Sequence, residues 1–139
     1  MTKEKLLLMD VEISEKIFGV KYYLSDYVYI NGRRVDIPTW ILEGWSPVIP
    51  PGGWSAGVIP PHYTTDISLA MEVVEALKNM WRKREYQSEY DRWELKDIGH
   101  LGWIVSIKTA LSGKTLVSYV GKSLPLAICH CALEYLKSK

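Results

Sequence analysis

From Ile59 to Trp81 the chain reads IPPHYTTDISLAMEVVEALKNMW, and this stretch limits the fold more than any other. Two prolines end whatever precedes it, because neither can donate to a helix ladder and both restrict the residue before them. Thr64, Thr65 and Asp66 then offer side-chain oxygens that can cap a helix start. Behind them Ile67, Ala70, Met71, Val74, Leu77 and Trp81 recur at steps of three and four. That spacing predicts an amphipathic helix over 66–83, with an apolar stripe that must be buried against something.

What it can be buried against is a sheet. Trp103, Val105 and Ile107 alternate with Ile104, Ser106 and Lys108, and Leu116, Ser118 and Val120 alternate with Val117 and Tyr119 after a turn around Ser112-Gly113. Trp93-Glu94-Leu95-Lys96 alternates more weakly and predicts a third strand. Earlier, Tyr27–Ile30 and Arg33–Val35 flank Asn31-Gly32, the dipeptide of a type I′ hairpin, in which both central residues need positive φ. Two further helices are expected. Residues 2–18 carry a stripe of Leu6, Met9, Ile13 and Ile17 between Thr2 and Gly19. Residues 123–137 start with Ser123 as cap and Pro125 in the first turn, where no amide bond is lost, and are apolar on most sides.

One region resists this reading. Residues 38–61 hold six of the seven prolines and three of the six tryptophans. Proline supplies no amide to a ladder and glycine weakens strands, so an irregular loop is expected; its Trp and Ile content implies order, with the tryptophans packed down. The whole predicts one α+β domain over 1–139. It would be a largely antiparallel β-sheet of roughly three to five strands flanked by helices, an α/β/α-type sandwich with a long Pro/Gly/Trp-rich loop inserted at 38–61.

Totals narrow the function. With 139 residues and 47% hydrophobic content the chain can bury roughly two thirds of its unfolded surface without staples. A net charge of +1 argues against a nucleic-acid partner. There is no apolar run of membrane length and no signal peptide at the start, which predicts a cytoplasmic protein. Cys129 and Cys131 sit two apart on a helix and point away from each other, which fits a reducing compartment. Six Trp and nine Tyr stand against one Phe, and Trp and Tyr favour half-wet surfaces and binding sites as well as cores.

A set of segments then has a familiar order. Ile13-Ser14-Glu15-Lys16-Ile17-Phe18-Gly19 ends the first helix. Pro61-His62-Tyr63-Thr64-Thr65-Asp66 comes next, followed by Met71-Glu72-Val73-Val74-Glu75. Leu124-Pro125-Leu126-Ala127-Ile128-Cys129 and Ala132-Leu133 stand near the end. In this order they resemble the phage ABA sandwich domain family, small proteins of phages and prophages in Bacillus and related bacteria. The resemblance implies a sheet flanked by helices and a phage or prophage accessory protein of the host cytoplasm, and it carries no catalytic residue. This chain departs from the family's pattern in the long connection at 38–60 and in having His130.

Chemistry-bearing groups are few. Gly121-Lys122-Ser123 joins a strand to a helix, but a P-loop needs a glycine where Leu116 stands; Gly113-Lys114-Thr115 fails the same way at Lys108. What remains at Lys122 and Ser123 is a helix start able to hold an anion, or simply an N-cap beside a solvated lysine. His62, Tyr63 and Thr65 precede the other helix start, with His62 as a donor and Tyr63 as a stacking face, or else as capping and packing residues. Trp54 completes this candidate ligand set from the loop. If both helix starts open at one edge of the sheet, they face one pocket. Cys129-His130-Cys131 fan out by about 100° each on a helix and cannot close on one ion, so neither a metal nor a cofactor is expected. Arg82-Lys83-Arg84 is the main basic cluster, and cations at a helix end also serve its dipole. These residues fit a non-catalytic protein that captures a small ligand, with rings stacking on it and helix starts holding its phosphates. The resemblance to a phage family implies that the ligand it sequesters is a nucleotide-type small molecule, such as a host immune signal. The alternative is an interaction module acting through the Trp/Pro-rich loop; self-association stays open.

Overall fold

The computed structural model describes residues 2–49, 59–83 and 91–138. It is α+β, with three long helices and small antiparallel and mixed sheets, and its contacts gather in two compact units, Met1–Pro61 and His62–Lys139. No described helix is long and apolar enough to cross a membrane.

The first unit opens with α1 (Lys3–Phe18). The Thr2 hydroxyl accepts from the Lys5 amide, and Gly19 ends the helix at φ 71° while the Val20 amide returns to the Ser14 carbonyl. That left-handed exit suits glycine, which has no Cβ to clash. Met9, Ile13 and Ile17 are buried as their spacing requires. Five short strands follow: β1 (Tyr22–Ser25), β2 (Val28–Ile30), β3 (Arg33–Val35), β4 (Thr39–Leu42) and β5 (Val48–Ile49). β2 and β3 form the expected hairpin, with Asn31 at φ 52° and Gly32 at φ 78°.

The region read as irregular is in part sheet. β4 pairs antiparallel with β1, from Tyr22 opposite Leu42 to Ser25 opposite Thr39, and β5 runs parallel to β2. The reason is local: Thr39-Trp40-Ile41-Leu42 lies between Pro38 and the next proline, and β-branched and aromatic residues fit a half-buried pleat. β1 was not signalled either, since Tyr22, Tyr23 and Leu24 show no alternation; its partner arrives from outside the local sequence. Trp40 is half-buried in β4, but Trp45 is 56% exposed, so the tryptophans of this stretch do not all pack down. Trp54 lies outside the described residues.

The second unit contains α2 (Ile67–Arg82), β6 (Asp91–Asp97), a single 3-10 turn at Gly99–Leu101, β7 (Trp103–Thr109), β8 (Thr115–Gly121) and α3 (Leu124–Lys137). The strands form an antiparallel meander in the order β6-β7-β8. The helices pack on each other, and α3 lies against β7 and β8. The register puts Trp93, Ile107 and Val117 in one row and Leu95, Val105 and Tyr119 in the next, all on one face. Ile107 and Val105 at the centre are fully buried. The connection before β7 depends on Gly102. At φ 106° a Cβ there would lie 2.3 Å from the Gly121 carbonyl oxygen, so only glycine fits.

The buried stripe of α2 is Ala70, Val73, Val74, Leu77 and Trp81, while Ile67 and Met71 are exposed. The stripe is thus turned by Val73 away from the one read at the helix start, where the first turn projects beyond the core. Its cap is Asp66, whose carboxylate accepts from the amides of Ser68 at 2.8 Å and Leu69 at 3.2 Å. Ser123 stands at the N-cap of α3, but its hydroxyl makes no capping bond, which corrects the role expected of it.

The two caps should therefore differ in worth. Asp66→Ala is expected to cost about 1 kcal/mol in urea unfolding. Ser123→Ala should stay within about 0.5 kcal/mol of the parent.

Candidate functional site

Between the last turns of α2 and the first residues of β6 lies an open pocket of about 350 Å³ lined by Lys78, Trp81, Arg82, Asp91, Arg92 and Trp93. Lys78, Trp81 and Arg82 stand at i, i+3 and i+4 and so share one helix face. Asp91 and Trp93 are two apart on β6 and point the same way. Arg92 points to the opposite face but sits on an edge strand, where its long side chain also lines the pocket.

The walls are held from within. Trp81 is 3% exposed, and its indole N–H donates to the Tyr135 hydroxyl at 2.9 Å. Tyr135 in turn donates to a carboxylate oxygen of Asp91. One hydroxyl therefore ties α2, α3 and β6 together. The rings agree: Trp81 meets Tyr135 edge-on at 5.7 Å and Trp93 at a 45° tilt and 6.3 Å. Trp93 is half-buried, and its indole nitrogen is enclosed with no hydrogen-bond partner among the described residues.

Three cations stand against one carboxylate in this lining. Lys78 touches Glu75 at 3.3 Å and Arg92 touches Glu94 at 3.4 Å, both exposed pairs of the kind that contribute little and exchange readily. Among the described residues Arg82 bonds a neutral group, the Asn79 side-chain oxygen at 3.2 Å. Beyond Arg92, Lys108 donates to Glu94 at 3.1 Å, and that hydrogen bond chiefly holds the carboxylate below its ordinary range. The pocket can therefore accept an anion with a flat apolar body beside it.

The residues singled out from sequence lie elsewhere. His62 and Thr65 are exposed in the turn before α2, where the His62 carbonyl accepts from the amides of Thr65 and Asp66. Tyr63 is buried, so its ring is not an open stacking face. Lys122 and Ser123 are exposed at the start of α3. None of these five lines either of the two cavities described here. Sequence reasoning did note Trp81 and Arg82, but as helix-end residues, and it passed over Tyr135. A tyrosine on the buried side of an apolar helix is the signal that could have found it, since its hydroxyl needs a partner.

The second cavity belongs to the first unit. It measures about 450 Å³ and is lined by Glu4, Leu7, Leu8, Leu24, Ile37, Pro38 and Trp40. Leu24 and Ile37 are 52% and 57% exposed, so this is an open apolar groove.

Cys129 and Cys131 are buried thiols on α3. Burial pushes the Cys131 thiol up to about 12, which leaves it unreactive at neutral pH. Between them His130 stacks on Tyr119, with ring centroids 4.3 Å apart and planes 17° from parallel. Its Nε2 is enclosed and has no hydrogen-bond partner among the described residues. Burial lowers its pKa; Glu134 works against that and Lys137 with it.

With this geometry in view, the Phage ABA sandwich domain family matches the chain over residues 12–133. Among solved structures, the 2.0 Å crystal structure of a phage protein from Bacillus cereus is similar over 99% of this chain and 92% of its own, at 20% identity and a TM-score of 0.51. Both likenesses run through the two units, and the structural one concerns the fold alone. No curated protein matches.

Two outcomes follow from the packing. Tyr135→Phe removes a bond from both Trp81 and Asp91 and should lower stability by about 1–3 kcal/mol in denaturant melts. For His130 the folded state favours the neutral ring, so the unfolded chain binds the proton more readily. The stabilisation is complete above the ordinary histidine value of 6.5 and falls as pH drops below it. The stability advantage of the parent over His130→Gln should therefore shrink between pH 7.5 and pH 5.

Proposed function

The chain belongs to the phage ABA sandwich domain family, and on that premise we propose that it is a phage accessory protein that binds without catalysis. Its ligand on this reading is a nucleotide-type small molecule, such as a host immune signal, captured in the host cytoplasm. The observation that carries the proposal is the Lys78–Trp81–Arg82–Arg92–Trp93 lining of the pocket beside α2. Guanidinium and ammonium groups meet phosphate oxygens, and an indole face meets a base. Asp91 is assigned to the wall, through its bond from Tyr135, and not to proton transfer. The helix starts at His62 and Lys122 play no part in the site so defined.

A second reading rests on the groove of the first unit. Leu8, Leu24, Ile37, Pro38 and Trp40 form an open apolar surface partly drawn from the Pro/Trp-rich stretch, and such surfaces mark protein contacts. One experiment separates the two. A thermal-shift screen with nucleotides should stabilise the parent by about 2.7 kcal/mol at a hundredfold excess over Kd. Leu24→Asp should keep that shift and Arg82→Gln should lose most of it. If no nucleotide stabilises the parent, and Leu24→Asp instead abolishes cross-linking to a protein in infected cells, the interaction module replaces the capture protein.

A further inference from the structure

We infer that the pocket beside α2 is built for a single aromatic ring carrying one terminal phosphate monoester, the chemistry of a mononucleotide, and not for a cyclic or doubled nucleotide. The inference rests on the capture reading above and narrows its ligand. Size is the first ground. About 350 Å³ is near the lower limit of small-molecule pockets, a size that matches one ring and one anionic group. Stacking surface is the second. Trp81 is spent inside the unit on Tyr135, so among the described residues half-buried Trp93 alone offers a ring face to a ligand. Two bases would need two platforms.

Charge is the third ground. Among the described residues of the lining, Lys78, Arg82 and Arg92 exceed Asp91 by two positive charges. A terminal phosphate monoester carries nearly two negative charges at neutral pH, whereas a cyclic phosphodiester carries one. The setting makes the difference matter. The pocket lies at the carbonyl end of α2, whose dipole favours cations and opposes an anion. A ligand must also displace Lys78 from Glu75 and Arg92 from Glu94 to use all three cations. A dianion recovers more from that exchange than a monoanion does. Arg82, bonded among the described residues to a neutral amide oxygen, is the cation that needs no such exchange and makes the first contact.

The test is calorimetric titration of the full chain with four probe classes at pH 7.5. These are the common nucleoside 5′-monophosphates, their 3′,5′-cyclic forms, cyclic dinucleotides and the parent nucleosides. A monophosphate should bind roughly tenfold or more tightly than its cyclic form, as a charge-assisted contact is gained. Its affinity should fall as pH drops through about 6, where the monoester takes up its second proton, while that of the cyclic form should not. Arg82→Gln should reduce monophosphate binding about tenfold, and Trp93→Phe should reduce it less. Lys96→Gln, exposed near the opposite end of β6, should leave it unchanged. A cyclic form or cyclic dinucleotide that binds as tightly as the monophosphate, or a monophosphate affinity flat across pH 6, overturns this inference and leaves the capture reading in place. Absence of binding by all four classes overturns both.

Discussion

The second unit depends on one hydroxyl. Tyr135 sits on the buried side of α3, accepts the indole proton of Trp81 from α2, and donates to Asp91 on β6. Three elements distant in sequence meet at a group with one donor and two acceptor sites. Burying a tyrosine this deeply is favourable only because its polar end is paired, and burying Trp81 carries the same condition. Asp91 gains a fixed orientation in return. Everything that lines the adjoining pocket is positioned by this arrangement: Arg82 follows Trp81 along the helix, and Arg92 and Trp93 follow Asp91 along the strand.

That placement explains why a site could arise at the less expected end of a helix. Anions are usually held at helix starts, where free amides and the positive dipole end cooperate. Here the carbonyl end of α2 contributes an opposing field of about 0.3–1 kcal/mol. It also attracts cations, so Lys78 and Arg82 stabilise the helix in the empty protein. On the capture reading proposed above, the same side chains must outweigh the dipole toward an incoming anion. A helix start offers amides that cannot move. This end offers longer, movable cations beside a ring, and the pairing of Lys78 with Glu75 keeps one of them engaged until it is displaced.

The first unit is built on different terms. Its strands have two to four residues each, and its sheets have two or three strands. Sheets this small bury little, so much apolar surface stays open at Leu8, Leu24 and Ile37. The second unit has seven-residue strands, two long helices and a continuous buried row across the sheet. The polar pocket thus lies in the unit with the longer strands, and the apolar groove in the unit whose described strands are shortest.

Much of the fold could be read from local sequence. The three helices follow from apolar spacing with Thr2, Asp66 and Gly19 at their ends, and the hairpin follows from Asn31-Gly32, because caps and turn residues act within a few positions of themselves. The pattern also revealed β7 and β8, whose alternation records one buried face. The residues themselves could not reveal β1 and β4, since a strand of four residues is stabilised by its partner and not by its own pattern. Nor could they reveal the pocket. Trp81 and Arg82 read as the end of a helix, Asp91 to Trp93 as the start of a strand, and Tyr135 as one more residue of an apolar stretch. Which segments are helix or hairpin, and which faces must be covered, is written in the chain order, because those preferences are local and periodic. That a hydroxyl from α3 joins α2 to β6, and that the cations of two segments share one opening, comes from long-range packing. Side chains far apart in the chain acquire a common environment only when the core packs.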